Sequence, residues 1–289
     1  MSKPGTHAAA HTPVPETERE DFSAITRLYD VEMAANATIH DLVFPLVFGA
    51  KEYVGQFSDN SASELLDMGR AMELPREARV LDIGCGRGAV ARLMASTLGW
   101  RMTGIDLSEV SLQNARTSRV EGNATPLTLL HGNVYETSFP ERFHGAYGTG
   151  AFCHFDATRL FARCRQLLLP GGKLAFMERV RLGNISPADW KRLTTDWHCP
   201  FVYTPEEYRS LLEAQGFTVL VSRDLTPTFR VWQRKSIEVR QQLKQEIVER
   251  TSLEYFETSL RFAAYENDVT EAGLLGYVLI VARRGEDGS

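Results

Sequence analysis

Apolar positions along the chain change their period twice. Phe22, Ile25, Leu28 and Tyr29 recur at helical spacing behind Asp21, a helix N-cap, and Ile39, Leu42, Val43, Leu46, Val47 and Phe48 form a second helical group. Ser61 and Glu64 match a capping box, with Leu65, Leu66, Met68 and Met72 as the stripe behind it, which predicts a helix over 61–72. From residue 79 short apolar runs ending in small or acidic residues alternate with amphipathic stretches. The runs predict strands at 79–83, 101–106, 127–131, 143–149 and 173–178. Helices fit between them near 89–98, 109–121 and 156–168, the last stopped by Pro170-Gly171-Gly172. This alternation predicts right-handed crossovers and one parallel sheet with helices on both faces.

After Glu178 the pattern loosens. An aromatic-rich segment over 182–203 precedes a helix that Thr204 caps and Pro205 begins, Gly216 ends it, and a short strand follows over 217–222. A long helical stretch with room for a break spans about 231–265, and a last strand runs over 275–283. The expected organisation is a mobile tail over 1–18, which holds three prolines and almost no large apolar side chains. A helical N-terminal cap follows over 19–76, then an α/β core over 77–289 with a helical cap insertion at about 226–272.

Charge and cysteine usage narrow the function classes. Of 289 residues, 32 are Lys or Arg and 37 Asp or Glu, so the net charge of −5 offers no basic field for a phosphate backbone, and nucleic acid is not an expected partner. No apolar run approaches the roughly 20 residues that span a bilayer, and the start lacks the order of a signal peptide, so a cytoplasmic protein without a membrane partner is expected. Cys85, Cys153, Cys164 and Cys199 are scattered without a CxxC pair, which predicts reduced thiols and no metal site. His7 and His11 fall in the tail and are assigned nothing. A homo-oligomer stays open.

The chemistry concentrates in Val80-Leu81-Asp82-Ile83-Gly84-Cys85-Gly86-Arg87-Gly88, an apolar strand running into a glycine-rich turn and a helix. Glycines let a ligand approach the backbone, and a helix start offers free N–H groups. Asp106, at the end of the next strand, is placed to accept from the hydroxyls of a ribose. Gly86 and Gly88 are one residue apart, which does not fit a dinucleotide fingerprint. Asp82 would repel a pyrophosphate and hold a cationic amino-acid moiety instead. Cys85 reads as a small spacer rather than a nucleophile.

These residues resemble the first motif of the class I S-adenosylmethionine-dependent methyltransferases, an acid-x-Gly-x-Gly-x-Gly turn. Gly104-Ile105-Asp106-Leu107-Ser108, Gly148-Thr149-Gly150-Ala151-Phe152-Cys153-His154 and Leu168-Leu169-Pro170-Gly171-Gly172-Lys173-Leu174 extend the resemblance across roughly 29–284. It implies a Rossmann-like, seven-stranded, mostly parallel sheet with the last strand antiparallel. S-adenosyl-L-methionine is the implied cofactor. Its methionine part would face Asp82 and the glycines Gly84, Gly86 and Gly88, its ribose Asp106, and its adenine Asn133 and Val134, with Tyr29, Cys85, Leu107 and Gly150 as further cofactor-binding candidates. Many relatives carry Asp where this chain has Asn133, and an ordinary turn role for Asn133 is the alternative.

Substrate in such a sheet lies beyond the carboxyl ends of the fourth and fifth strands. Glu178 must leave the sheet core towards that cleft and is the preferred proton acceptor, against an ion pair with Arg179 or Arg181. His154 is the second catalytic candidate, with a structural role beside the cofactor as its alternative. Phe48, Phe152, Trp190, Trp197, Tyr203, Phe229 and Trp232 are the candidate substrate-binding rings, since aromatic faces take cations and bury apolar ligands. The order of elements resembles small-molecule methyltransferases acting on glycine-type amines, sterols and prenyl diphosphates. The expected reaction is therefore methyl transfer to a nitrogen or carbon of a small metabolite in a closed pocket. An O-methyltransferase, which a His or Lys beside a hydroxyl or a divalent metal site would mark, neither being evident in the sequence, and a non-catalytic cofactor-binding protein are the alternatives. For a diphosphate acceptor, Arg179, Arg181, Arg230 and Arg234 would have to converge, and only then would Mg²⁺ enter.

Overall fold

Strands β1 (Arg79–Ile83), β2 (Arg101–Asp106), β3 (Leu127–His131), β4 (Phe143–Thr149), β5 (Leu168–Arg181), β6 (Phe217–Asp224) and β7 (Leu275–Arg284) form one sheet in the order β3-β2-β1-β4-β5-β7-β6. β7 runs antiparallel to both β5 and β6, and the pairs among β1 to β5 are parallel. The computed structural model describes residues 20, 22–31, 33–117, 127–196 and 199–287. The expected tail over 1–18, the Asp21 cap and Trp197 lie outside them. β1 to β4 fall where the apolar runs predict, because each run is long enough to cross a sheet covered on both faces. The chain order reverses between β1 and β4, and a crevice opens at their carboxyl ends.

Helices α4 (Ala89–Leu98), α5 (Glu109–Thr117) and α6 (Ala157–Leu167) supply the crossovers, and α8 (Pro205–Ala214) packs beside β6. Caps fix their starts: Asp156 accepts from the Arg159 N–H at 3.0 Å, and Thr204 with Glu207 forms a capping box. Leu81, Phe161, Phe176 and Tyr208 belong to one buried cluster, and Met68, Met94, Trp100 and Tyr147 to another.

The cap is built from α1 (Phe22–Val31), α2 (Met33–Phe48), α9 (Thr226–Gln242), α10 (Lys244–Arg250) and α11 (Leu253–Glu271). Ile39, Val43, Phe44 and Val47 of α2 pack with Val239, Ile247 and Phe256 of the insertion, so the two cap regions share one apolar cluster. Lys235 donates to the Val47 carbonyl at 2.6 Å and ties α9 to the end of α2. α3 (Ala62–Ala71) carries the expected Ser61–Glu64 capping box.

Three elements depart from the expected pattern. β5 extends well past 173–178 in both directions, because Pro170-Gly171-Gly172 forms an irregular start to the strand and a register shift between Phe143 and Gly145 accommodates it. The aromatic-rich segment contains α7 (Pro187–Asp196), whose start is marked by Ser186 accepting from the Asp189 N–H at 3.1 Å. The late stretch breaks twice, at Leu243 and again at Thr251-Ser252, where Ser252 caps α11 by accepting from the Tyr255 N–H. Among the described residues no single helix is long and apolar enough to cross a membrane.

Candidate active site

A cavity of about 410 Å³ lies between the β1/β4 crevice and the helical cap. Its floor is the glycine turn after β1. Gly84 (φ 75°) and Gly86 (φ 49°) hold left-handed conformations, and a Cβ on Gly84 would come within 2.7 Å of the Ala151 Cβ, so glycine is required there. Asp106 stitches this turn to the next: its Oδ2 accepts from the Gly86 N–H at 2.7 Å and its Oδ1 from the Ser108 N–H at 2.9 Å. Each oxygen keeps a second acceptor position, which suits the paired hydroxyls of a ribose. Burial raises the Asp106 carboxyl above its ordinary range, opposed by these two N–H bonds.

Asp82 is buried, at 2% exposure, and accepts from the Tyr147 hydroxyl at 2.9 Å. Burial raises its carboxyl to about 7, with Asp106 adding to the shift and the Tyr147 bond opposing it. A cation placed beside Asp82 would favour the carboxylate, so the site fits the ammonium of an amino-acid moiety. Cys85, Leu107, Val134 and Gly150 also line the cavity. Burial holds the Cys85 thiol far above its ordinary range, as the spacer reading expects. Asn133 lines the cavity too, but its Oδ1 already accepts from the Tyr135 N–H at 3.0 Å. Gly88 lies outside the lining, at the N-cap of α4.

The two catalytic candidates separate. Glu178, at 0% exposure, does not reach the cavity: its Oε2 accepts from the N–H groups of Phe152 (2.9 Å) and Cys153 (3.2 Å), and its Oε1 from its neighbour Arg179 (2.9 Å). The expectation that it leaves the core towards substrate is corrected. Sequence position alone puts it at the right end of β5, and only the 3-10 turn over Phe152–His154, which presents two N–H groups beside it, turns it inward. His154 does line the cavity, and its Nε2 sits 2.9 Å from the hydroxyl of Tyr29 on α1. Burial raises the Tyr29 hydroxyl well above its ordinary range, so the phenol stays neutral.

Of the candidate substrate rings, Phe48, Phe229 and Trp232 line the cavity, and Phe48 and Trp232 meet edge to face at 5.2 Å. Phe152, Trp190 and Tyr203 do not: Phe152 packs on Phe176 in the core, Trp190 packs with Leu193 and Tyr265, and Tyr203 stacks between Phe201 and Tyr208. Their positions after β4 and β5 suggested the cleft, but apolar rings there are drawn under the sheet edge by burial.

The four arginines required by a diphosphate do not converge. Arg179 pairs with Asp59 and Glu266, Arg181 with Glu207, Arg234 with Glu271, and Arg230 donates to the Thr270 carbonyl. Cys153, His154 and Cys199 offer donor atoms within 4.8 Å of one another. The two sulfurs are 3.2 Å apart, and the Cys153 bond and burial hold the Cys199 thiol well up, so a hydrogen-bonded thiol pair accounts for them. Sequence reasoning missed Ser58, Gln233, Ser236 and Arg240, all of which line the cavity. The last three share the helical stripe of Phe229, at spacings of four, seven and eleven, and that was their signal.

The methyltransferase domain family matches residues 80–172. An S-adenosyl-L-methionine-dependent Diels-Alderase of Talaromyces variabilis is 31% identical over 209 residues, 63% of this chain and 71% of that protein. An O-methyltransferase of Aspergillus sclerotiorum is 24% identical over 68% of this chain and 81% of that protein. Other relatives are named as N- and C-methyltransferases. The solved structure of a cyclopropane synthase from Mycobacterium tuberculosis superposes with a TM-score of 0.78 at 19% identity, over 91% of this chain and 98% of that one. The sheet order, the acid-flanked glycine turn and these matches make the chain a member of the class I S-adenosylmethionine-dependent methyltransferases, small-molecule enzymes with S-adenosyl-L-methionine as methyl donor.

Proposed function

We propose that this enzyme methylates an oxygen of a ring-bearing small molecule enclosed beneath the α2, α9 and α11 cap, with Tyr29 and His154 receiving the proton. The observation that carries this reading is the 2.9 Å contact between the Tyr29 hydroxyl and His154 Nε2 at the cavity wall. A nitrogen or carbon acceptor deprotonated by Glu178, as the sequence suggested, loses support because that carboxylate is absent from the cavity lining and its oxygens are taken up by three backbone N–H groups.

When bound, the cofactor supplies a sulfonium methyl whose thioether leaves without protonation. The protein's tasks are alignment, exclusion of water and removal of one proton. Gly84, Gly86, Asp82 and Asp106 orient the donor, and the aromatic walls orient the acceptor. With His154 in the tautomer that accepts at Nε2, Tyr29 passes its own proton to the imidazole as it takes one from the acceptor hydroxyl. The oxygen then gains the methyl as the carbon–sulfur bond breaks.

The test is transfer of a labelled methyl group to a panel of phenols, ring acids, amines and prenyl diphosphates. We expect a phenol to be the acceptor, and His154→Gln to lower kcat by about a hundredfold while cofactor affinity stays within about threefold. Transfer to nitrogen or carbon, or a His154→Gln enzyme with an unchanged rate, overturns the reading. Product formed from a panel member without loss of the label would instead align the enzyme with its relative named as a Diels-Alderase.

A further inference from the structure

The cap end of the cavity contains polar atoms that the protein itself does not satisfy. Buried polar groups ordinarily find a partner, and leaving one without is costly. Among the described residues, His40 Nδ1, Arg240 Nε and the amide oxygen of Gln233 have no hydrogen-bond partner, and all three residues line the cavity. Arg240 is 7% exposed and Gln233 5%.

Arg240 is the most telling. Among the described residues its hydrogen bonds go only to Ser236, one turn back on the same helix. Asp59 and Glu266 are the nearest acids that influence it, yet both are held by Arg179, and among the described residues no carboxylate lies within 4.0 Å of the Arg240 guanidinium. Burial accordingly lowers its pKa to about 10. A buried cation with no carboxylate in direct contact, its acids Asp59 and Glu266 acting only at longer range, has donors to spare for a ligand. Gln233 lies seven residues earlier on the same inward stripe, with its amide beside Glu266. His40 stacks on Phe44 at 4.3 Å, and burial with Arg240 and Arg87 lowers its pKa to about 3, so it stays a neutral hydrogen-bonding group. Around this polar spot stand the rings of Phe44, Phe229, Trp232 and Phe262.

We propose that Arg240 and Gln233 form an oxyanion subsite that selects the acceptor: a flat, ring-bearing molecule carrying an ionised oxygen, carboxylate or phenolate, which binds against the Arg240 guanidinium. The forked donors of an arginine match such an oxygen, and the low dielectric of the closed cavity strengthens the pairing. This inference rests on the reading of the capped cavity as the acceptor chamber.

The experiment is calorimetry on the protein saturated with S-adenosylhomocysteine, titrated with 2-naphthoate, with 2,4-dinitrophenolate and with the neutral 2-naphthamide. At least one anion should bind the wild type tenfold or more tightly than the amide. Arg240→Leu should abolish that preference, Arg240→Lys should retain most of it, and Gln233→Leu should weaken it. The naphthoate and phenolate arms tell which kind of anionic oxygen is taken. Equal binding of anions and amide, including no binding of any, overturns the proposal, as does an anion preference that survives Arg240→Leu. Loss of S-adenosylhomocysteine affinity in Arg240→Leu also overturns it, by moving Arg240 to the cofactor. Failure of the wild type to bind S-adenosylhomocysteine would instead strike the methyltransferase reading itself.

Discussion

The backbone N–H of Phe152 donates to Glu178 Oε2 at 2.9 Å, so the charged end of β5 is fastened to the turn that follows β4. The same oxygen accepts from Cys153, and the next residue in that turn is His154, whose ring faces the cavity. On the proposed reading, Glu178 positions His154 through this turn and does not accept the proton itself.

Glu178→Ala should lower stability by about 1–3 kcal/mol, since buried N–H groups lose their acceptor, and should raise KM or lower kcat only as His154 becomes less well held. Glu178→Gln keeps one acceptor oxygen and should be milder. In both variants the pH–rate profile should retain the wild-type midpoint. Denaturant unfolding and a pH–rate series check this, and a displaced midpoint would return Glu178 to proton transfer.

Asp106 holds the glycine turn, and on the proposed reading it also takes the cofactor's ribose. Asp106→Ala should weaken S-adenosylhomocysteine binding by at least tenfold, about 1.4 kcal/mol. Amide hydrogen exchange should rise at Gly86 and Ser108, whose N–H groups lose their acceptor. An unchanged affinity in calorimetry would remove Asp106 from the cofactor site.

Asp82 gives the ligand-free enzyme a pH dependence of known sign. Its folded pKa, raised by burial to about 7, lies above the roughly 3.9 of an unfolded aspartate, so between those values the folded chain holds a proton that the unfolded chain has released. Ligand-free stability should therefore fall as pH climbs from about 4 to about 7. Asp106 and Glu178, also raised by burial, add to the same slope. Asp82→Asn should flatten the profile in part and be more stable than wild type above pH 7. Cofactor affinity should move the other way, strengthening through about pH 7 in the wild type as the carboxylate forms, and staying weak and flat in Asp82→Asn. Thermal unfolding and calorimetry across pH check both, and parallel profiles would mean that Asp82 titrates as an ordinary acid.

Much of the scaffold was legible from local pattern. The bounds of β1 to β4 and of α4 follow from runs whose apolar content suits a sheet covered on both faces, and the caps at Ser61, Asp156 and Thr204 depend on side chains within three residues of the helix start. The glycine turn, Asp82 and Asp106 were legible for the same reason: a turn with positive φ and an acid at a strand end are local requirements. α7 was missed although Ser186, Pro187 and Asp189 announce it, because the surrounding aromatic residues obscured the stripe.

What the sequence determined by itself was the order of elements, the cofactor turn and the class of chemistry, all of which rest on contacts between near neighbours in the chain. Tertiary structure decided which side chains face the acceptor. Glu178 and Arg240 show why: each is a buried charge whose surroundings are supplied by distant parts of the chain. Glu178 finds backbone donors 25 and 26 residues away in the chain and is satisfied inside the protein, whereas Arg240 finds its neighbouring acids already held by Arg179. Whether a buried charge is neutralised by its own fold or waits for a ligand depends on partners brought together only when the cap closes over the sheet.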